Sequence, residues 1–260
     1  MKNLRTYGKG RSDVAVIHGG PGAAGEMAPV ARELASGWGV LEPLQTTTSV
    51  QGQVEELRTV LEKSGDLPVT LIGFSWGAWL SFIFAATHPA LVRKLILVGS
   101  GPFEEKYAVR ICETRLSRLN EEQREEFQSI TRSLGDPSVS DKNTLFAQLG
   151  ALASKTDAYD PMSHESQLID CQHDIFQRVW QEAAELRRSG NLLELGKRIE
   201  CPVVAIHGDY DPHPAEGVYR PLSAILKSFR GILLKNCGHM PWIERQARDK
   251  FYEILKEELR

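Results

Sequence analysis

The stretch Leu71-Ile72-Gly73-Phe74-Ser75-Trp76-Gly77-Ala78 decides how this chain folds. Ahead of it, Pro68-Val69-Thr70-Leu71-Ile72 is a short, apolar, β-branched run, the pattern of a strand buried on both faces. Behind it, residues 76–87 are apolar nearly all round, as in a helix enclosed by a core. Between the two lies Gly73-x-Ser75-x-Gly77. By composition alone this pattern arises in on the order of one chain in ten of this length, so the strand–turn–helix context is what gives it meaning. A turn that tight presses the residues two before and two after the serine against each other and against neighbouring strands. Only glycine, lacking Cβ, fits there. The serine is then held in a strained conformation, clear of the sheet, at a helix N-terminus whose free N–H groups and dipole favour developing negative charge.

Upstream, residues 1–12 are polar and offer at most one short edge strand. Val14-Ala15-Val16-Ile17-His18 reads as a buried strand that runs into His18-Gly19-Gly20-Pro21-Gly22. A helix over about 27–36 follows, then a strand over 39–44 weakened by Pro43. Thr46 to Ser49 offer N-caps for a helix over about 50–64, with Val50, Val54, Leu57, Val60 and Leu61 on one face. Downstream, His88-Pro89 ends the helix after the serine, and 94–99 is the next strand. This alternation predicts an α/β fold, a mostly parallel sheet with helices on both faces.

From about 102 to 190 no strand is predicted. A capping box at Asn120–Gln123 opens one helix, and others fit about 141–153 and 172–188. So long a strandless stretch predicts an inserted helical cap at 102–190 on a core made of 1–101 and 191–260. The α/β pattern resumes with a strand at 201–208, a loop Asp209-Tyr210-Asp211-Pro212-His213-Pro214, a helix over about 215–228 and a last strand at 231–235. Asn236-Cys237-Gly238-His239-Met240 is the exit loop, and Pro241-Trp242 is read as opening a C-terminal helix.

The composition, 42% hydrophobic and 25% charged, is that of a globular chain with a sizeable core. A net charge of −3 argues against nucleic acid or an anionic membrane as the main partner. The start Met1-Lys2-Asn3-Leu4-Arg5 has no apolar run of signal-peptide type, and no apolar run is long enough to span a bilayer. Four scattered cysteines, Cys112, Cys171, Cys201 and Cys237, read as buried thiols of a cytoplasmic protein. His88, His164 and His173 read as surface or cap residues.

Every notable polar residue falls at the carboxyl end of a predicted strand, the edge where open α/β sheets bind ligands. His18-Gly19-Gly20 follows one strand, Ser75 another, and Asp211 and His239 the last two. Asp209 competes with Asp211 as the acid of a Ser…Asp…His order. His207, Asp211 and His213 are conceivable metal ligands by residue type, but there is no H-E-x-x-H and no thiolate spacing, so no metal is expected.

On His18-Gly19-Gly20-Pro21-Gly22, Gly73-Phe74-Ser75-Trp76-Gly77, Gly208-Asp209-Tyr210-Asp211 and Gly238-His239-Met240-Pro241, the chain resembles the α/β-hydrolase superfamily. Within it, the HGGPG loop and Trp76 resemble the branch of prolyl iminopeptidases and related esterases. The resemblance implies a catalytic Ser75, Asp211 and His239, with Asp211 selected by the family's G-x-x-D pattern on Gly208. His239 would take the serine proton, Asp211 would hold its tautomer, and the N–H groups of Gly20 and Trp76 would hold an oxyanion, with Gly73 and Gly77 shaping the elbow. It implies no cofactor, and a serine hydrolase of small-molecule esters or amides that works through an acyl-enzyme. The alternatives are an iminopeptidase-like aminopeptidase and a ligand-binding sensor that keeps the pocket. His18 is read as structural and Asp209 as stabilising its loop.

The family's usual hairpin ahead of the HGG strand has little room here, so a sheet shortened at that edge is expected, of about six or seven strands. The usual D-x-x-G-x-G-x-S is replaced by Leu44-Gln45-Thr46-Thr47-Thr48-Ser49. Phe103, Phe127, Phe146, Trp180 and Trp76 are expected to wall an apolar pocket.

Overall fold

Strict alternation builds the layers. Val14 and Val16 pack with one hydrophobic cluster while Ala15 and Ile17 pack with the other, as side chains of period two must. In a computed structural model, residues 3–163, 169 and 172–260 are described. The strands are β1 (Leu4–Tyr7), β2 (Val14–Ile17), β3 (Val40–Pro43), β4 (Val69–Phe74), β5 (Val92–Val98), β6 (Val203–Gly208) and β7 (Phe229–Leu234). They form one seven-stranded sheet in the order β1-β3-β2-β4-β5-β6-β7. Only β1 runs antiparallel, pairing Leu4 with Pro43 and Tyr7 with Val40. The sheet is thus shortened at the expected edge, and Pro43 is tolerated at a strand end.

Helix α1 (Ala28–Leu34) covers one face. Helices α2 (Val50–Ser64) and α3 (Trp76–Thr87) cover the other. Ser49 caps α2, its side chain accepting from the Gly52 N–H at 3.1 Å. The chain leaves β2 for β3 on one side and returns to β4 on the other, so the strand order reverses between β2 and β4. That reversal is where open α/β sheets form a ligand crevice.

The insertion after β5 is helical among the described residues: α4 (Glu105–Ala108), α5 (Ile111–Ser117), α6 (Glu121–Gly135), α7 (Lys142–Asp157) and α8 (His173–Arg188). The capping box at Asn120 and Gln123 is present. Helix α8 buries Ile175, Val179 and Ala183 in the same cluster as α2 and α3, so the insertion is rooted in the core. One turn, α9 (Asn191–Glu194), leads back to β6, and α10 (Glu216–Ile225) and α11 (Arg248–Glu258) complete the layers.

Pro241 does not open the C-terminal helix. It begins a single 3-10 turn, Pro241–Ile243, and α11 starts only at Arg248. Glu244 is extended, with φ −79 and ψ 119, because it forms an antiparallel β-bridge with Pro161. Cys112 is exposed and Cys201 half-buried, where buried thiols were expected, and Cys237 is buried. His164 and Cys171 lie outside the described residues. His88 ends α3 and stacks on Phe84, and His173 begins α8 with its N–H bonded to Asn143. No helix is long and apolar enough to cross a membrane among the described residues.

Candidate active site

Ser75 stands between β4 and α3 with φ 51 and ψ −113, a left-handed conformation rare outside glycine. Such a conformation costs about 1–3 kcal/mol and persists only where the surroundings enforce it. Its N–H is held by the Val98 carbonyl at 2.9 Å, and its carbonyl accepts from Ala78 at 3.1 Å. A Cβ on Gly73 would collide with the Gly77 carbonyl, and one on Gly77 with the carbonyls of Ile17 and His18. Both glycines therefore answer a close backbone approach. The Trp76 N–H lies in the first turn of α3, where no intrahelical acceptor exists.

His18 is fully buried. Its Nδ1 donates to the Gly19 carbonyl at 2.7 Å, and its Nε2 accepts from the Gln45 N–H at 3.3 Å. Both nitrogens are occupied, and burial lowers the pKa of the ring. It is a strut between the glycine loop and the segment after β3. The Gly19 N–H is taken by Glu26 at 3.1 Å, which leaves the next amide, Gly20 (φ 32), as the candidate donor of the loop.

Asp211, in the loop after β6, is buried among three imidazoles: it bonds two of them, and His207 Nε2 lies 3.3 Å from its Oδ2. Its Oδ2 accepts from His239 Nδ1 at 2.7 Å; its Oδ1 accepts from His213 Nδ1 at 2.8 Å and from the His213 N–H at 2.9 Å. The two rings stack with centroids 4.5 Å apart. His207 donates from Nε2 to the His213 carbonyl at 2.7 Å. Burial opposes ionisation of Asp211, but the surrounding histidines outweigh it and hold its pKa well below the carboxylate range. Burial also opposes the charged form of His239, yet Asp211 prevails and raises its pKa. For His213 burial wins, and its pKa falls to about 4. Asp209 makes no bond to His239; it accepts from the Cys237 N–H at 3.3 Å in the loop after β7 and pairs with Lys235 at 3.6 Å.

His239 packs on Phe74, the neighbour of Ser75, with ring centroids 4.8 Å apart. Gly99 (φ 51) lies directly under it, and a Cβ there would sit 2.8 Å from the His239 carbonyl oxygen. Of the metal-ligand candidates, the compact group is Asp211, His213 and His239, with His239 in place of His207. Its ligand atoms lie within 4.8 Å of one another and face each other as hydrogen-bond partners.

A cleft of about 60 Å³ opens beside His239, lined by Glu26, Asp157, Ala153, Ala158, Met240 and Ile243 among others. None of the aromatic residues expected to wall the pocket lines this cleft. Trp76 is buried with its Nε1 donating to Gln53 at 2.9 Å, Phe103 packs on Phe82 in the core, and Trp180 stacks on Trp79 at 5.6 Å. Phe146 packs on Phe176 within the insertion. Their apolar character was legible; which surface each would cover was not. Glu26, missed from sequence, is the one acid between Gly19 and Arg32, and that isolation was a usable signal. Burial pushes its carboxyl up to about 7, against the opposing charge of His239. Asp157 is neutralised by Arg115, whose Nε and Nη2 donate to its two oxygens at 2.9 and 2.6 Å. Among the described residues no cation pairs with Glu26.

A family model described as alpha/beta hydrolase fold matches residues 44–246. The chain belongs to the α/β-hydrolase family. The α/β-hydrolase chain is similar to a curated proline iminopeptidase of Lactobacillus delbrueckii subsp. lactis, 24% identical over 278 residues that span 95% of this chain and 90% of that relative. Its fold is similar to that of a solved proline iminopeptidase of Mycobacterium smegmatis, with a TM-score of 0.64 at 17% identity, covering 98% of this chain and 93% of that one. It is equally similar to a thermophilic esterase from Thermogutta terrifontis, with a TM-score of 0.65 at 14% identity, covering 98% and 92%. At these identities the structures speak for the fold alone. The chain is thus an α/β-hydrolase by family and by fold.

Proposed function

We propose that this α/β-hydrolase is a serine hydrolase of small-molecule esters or amides. The observation that carries the reading is the left-handed Ser75 at the N-terminus of α3, on the same sheet edge as an Asp211–His239 pair 2.7 Å apart. Because Asp211 holds the proton on Nδ1, the Nε2 lone pair of His239 is free to accept the hydroxyl proton as Ser75 Oγ attacks the carbonyl carbon. The oxyanion is met by the N–H groups of Gly20 and Trp76. The imidazolium then protonates the leaving group, leaving an acyl-serine. Water, deprotonated by His239, releases the acid and restores the serine. A fluorophosphonate probe should label the wild-type chain once and leave Ser75→Ala unlabelled. Labelling that survives in Ser75→Ala removes the assignment, and an unlabelled wild type favours a sensor.

Glu26 favours a second reading, the aminopeptidase. An acid in the cleft with no cation partner among the described residues suits a substrate ammonium. A panel of aryl esters and of prolyl and alanyl arylamides, free and N-acetylated, separates the two. Turnover of free arylamides that is lost on acetylation and lost in Glu26→Gln selects the aminopeptidase.

A further inference from the structure

The loop that carries His239 is bonded to the segment that returns from the helical insertion. Three backbone N–H groups converge on one carboxylate, that of Glu244, which is fully buried. Its Oε1 accepts from Gly238 at 2.9 Å and from Tyr159 at 2.8 Å; its Oε2 accepts from Asp160 at 2.8 Å. One of these donors is the residue before His239, and the other two follow α7. Around this point the seam continues. The His239 N–H donates to the Asp157 carbonyl at 2.8 Å, the Met162 N–H to Ile243 at 2.8 Å and the Arg245 N–H to Asp160 at 3.1 Å. Gly238 is so close that a Cβ would collide with the Asp157 carbonyl and lie 2.5 Å from Glu244 Oε1.

We propose that Glu244 is a positioning residue. Through Gly238 it fixes the backbone from which His239 reaches Asp211, and it does so only while the 157–162 segment is seated. The inference rests on the reading of His239 as the base. A backbone carbonyl could satisfy at most part of this cluster, since each backbone N–H buried without a partner is costly. A carboxylate with two oxygens can accept from all three donors at once. Glutamine in its place keeps the shape but turns at least one acceptor into a donor facing an N–H.

The test is Glu244→Gln in the full-length chain. Its kcat on an aryl ester should fall about 10- to 100-fold with KM little changed, the cost of misplacing a catalytic group by an ångström or less. The low-field proton resonance of His239 Nδ1, hydrogen-bonded to Asp211, should shift or broaden. A variant that folds and keeps both the resonance and kcat overturns the proposal. Should Glu244→Gln fail to fold, amide exchange in the wild-type chain decides. The N–H groups of Tyr159, Asp160, Gly238 and His239 should exchange together as one unit; exchange of Gly238 and His239 independent of the other two overturns it. Neither the resonance nor the exchange depends on turnover. A wild type that fluorophosphonate does not label at Ser75 therefore counts against the hydrolase reading and leaves these two measurements standing.

Discussion

Asp211 divides its two oxygens between His239 and His213, and the two rings respond in opposite directions. His213 falls to about 4 and stays neutral through the range in which hydrolases work. His239 is raised above its ordinary 6.5 once the Asp211 charge outweighs burial. A base must be neutral to accept a proton, so acylation should climb with pH through a midpoint above 6.5 and level off on the alkaline side. A midpoint below that value in the pH profile of kcat/KM would contradict this. Replacing the acid of a serine triad by its amide costs about four orders of magnitude in turnover. Asp211→Asn should suffer that loss and Asp209→Asn should keep most activity, since Asp209 bonds Cys237 and Lys235 and neither imidazole. Measured kcat values in the reverse order would move the acid to Asp209.

The elbow between β4 and α3 is a contact of backbones, and its glycines are the elements' least replaceable residues. Gly77→Ala would drive a methyl into the carbonyls of Ile17 and His18, where neither side can rotate away. Overpacking of this kind costs about 1–3 kcal/mol. The urea midpoint should fall accordingly, and fluorophosphonate labelling should slow; an unchanged midpoint would show that the elbow relaxes. This element was legible in the sequence because strand, glycine spacing and apolar helix all agree on it. The helices of the insertion were legible through the capping box at Asn120 and the periodic apolar positions of α8. The start of α11 was not. Pro241 has the chemistry of a first helical residue, but Glu244 is bridged to Pro161 and bonded to Tyr159 and Asp160, and no local pattern reveals partners so far away in sequence. The same blindness explains the aromatic residues. Periodicity marks Trp180 and Phe103 as apolar, and tertiary packing alone decides that they face Trp79 and Phe82.

Across the whole molecule, the cleft beside His239 holds about 60 Å³, room for a few waters. Ligand pockets for drug-sized molecules run to about 300–1,000 Å³. Short acyl groups should therefore be favoured, with kcat/KM for an aryl acetate at least about tenfold above that for the octanoate, a difference of roughly 1.4 kcal/mol. A preference that rises with chain length would contradict the cleft as described. The seam between 157–162 and the loop of His239 carries a consequence for descent and for engineering. An insertion that merely roofs a pocket can be transplanted between scaffolds, lengthened or excised at little cost to the chemistry beneath. Here the Asp157 carbonyl holds the His239 N–H, and Glu244 binds both sides of the joint. A chimaera that borrows another protein's roof would leave these groups facing nothing. The insertion and the C-terminal loop have to be exchanged as a pair, and lineages of this chain should have drifted in the outer helices while inheriting this joint whole.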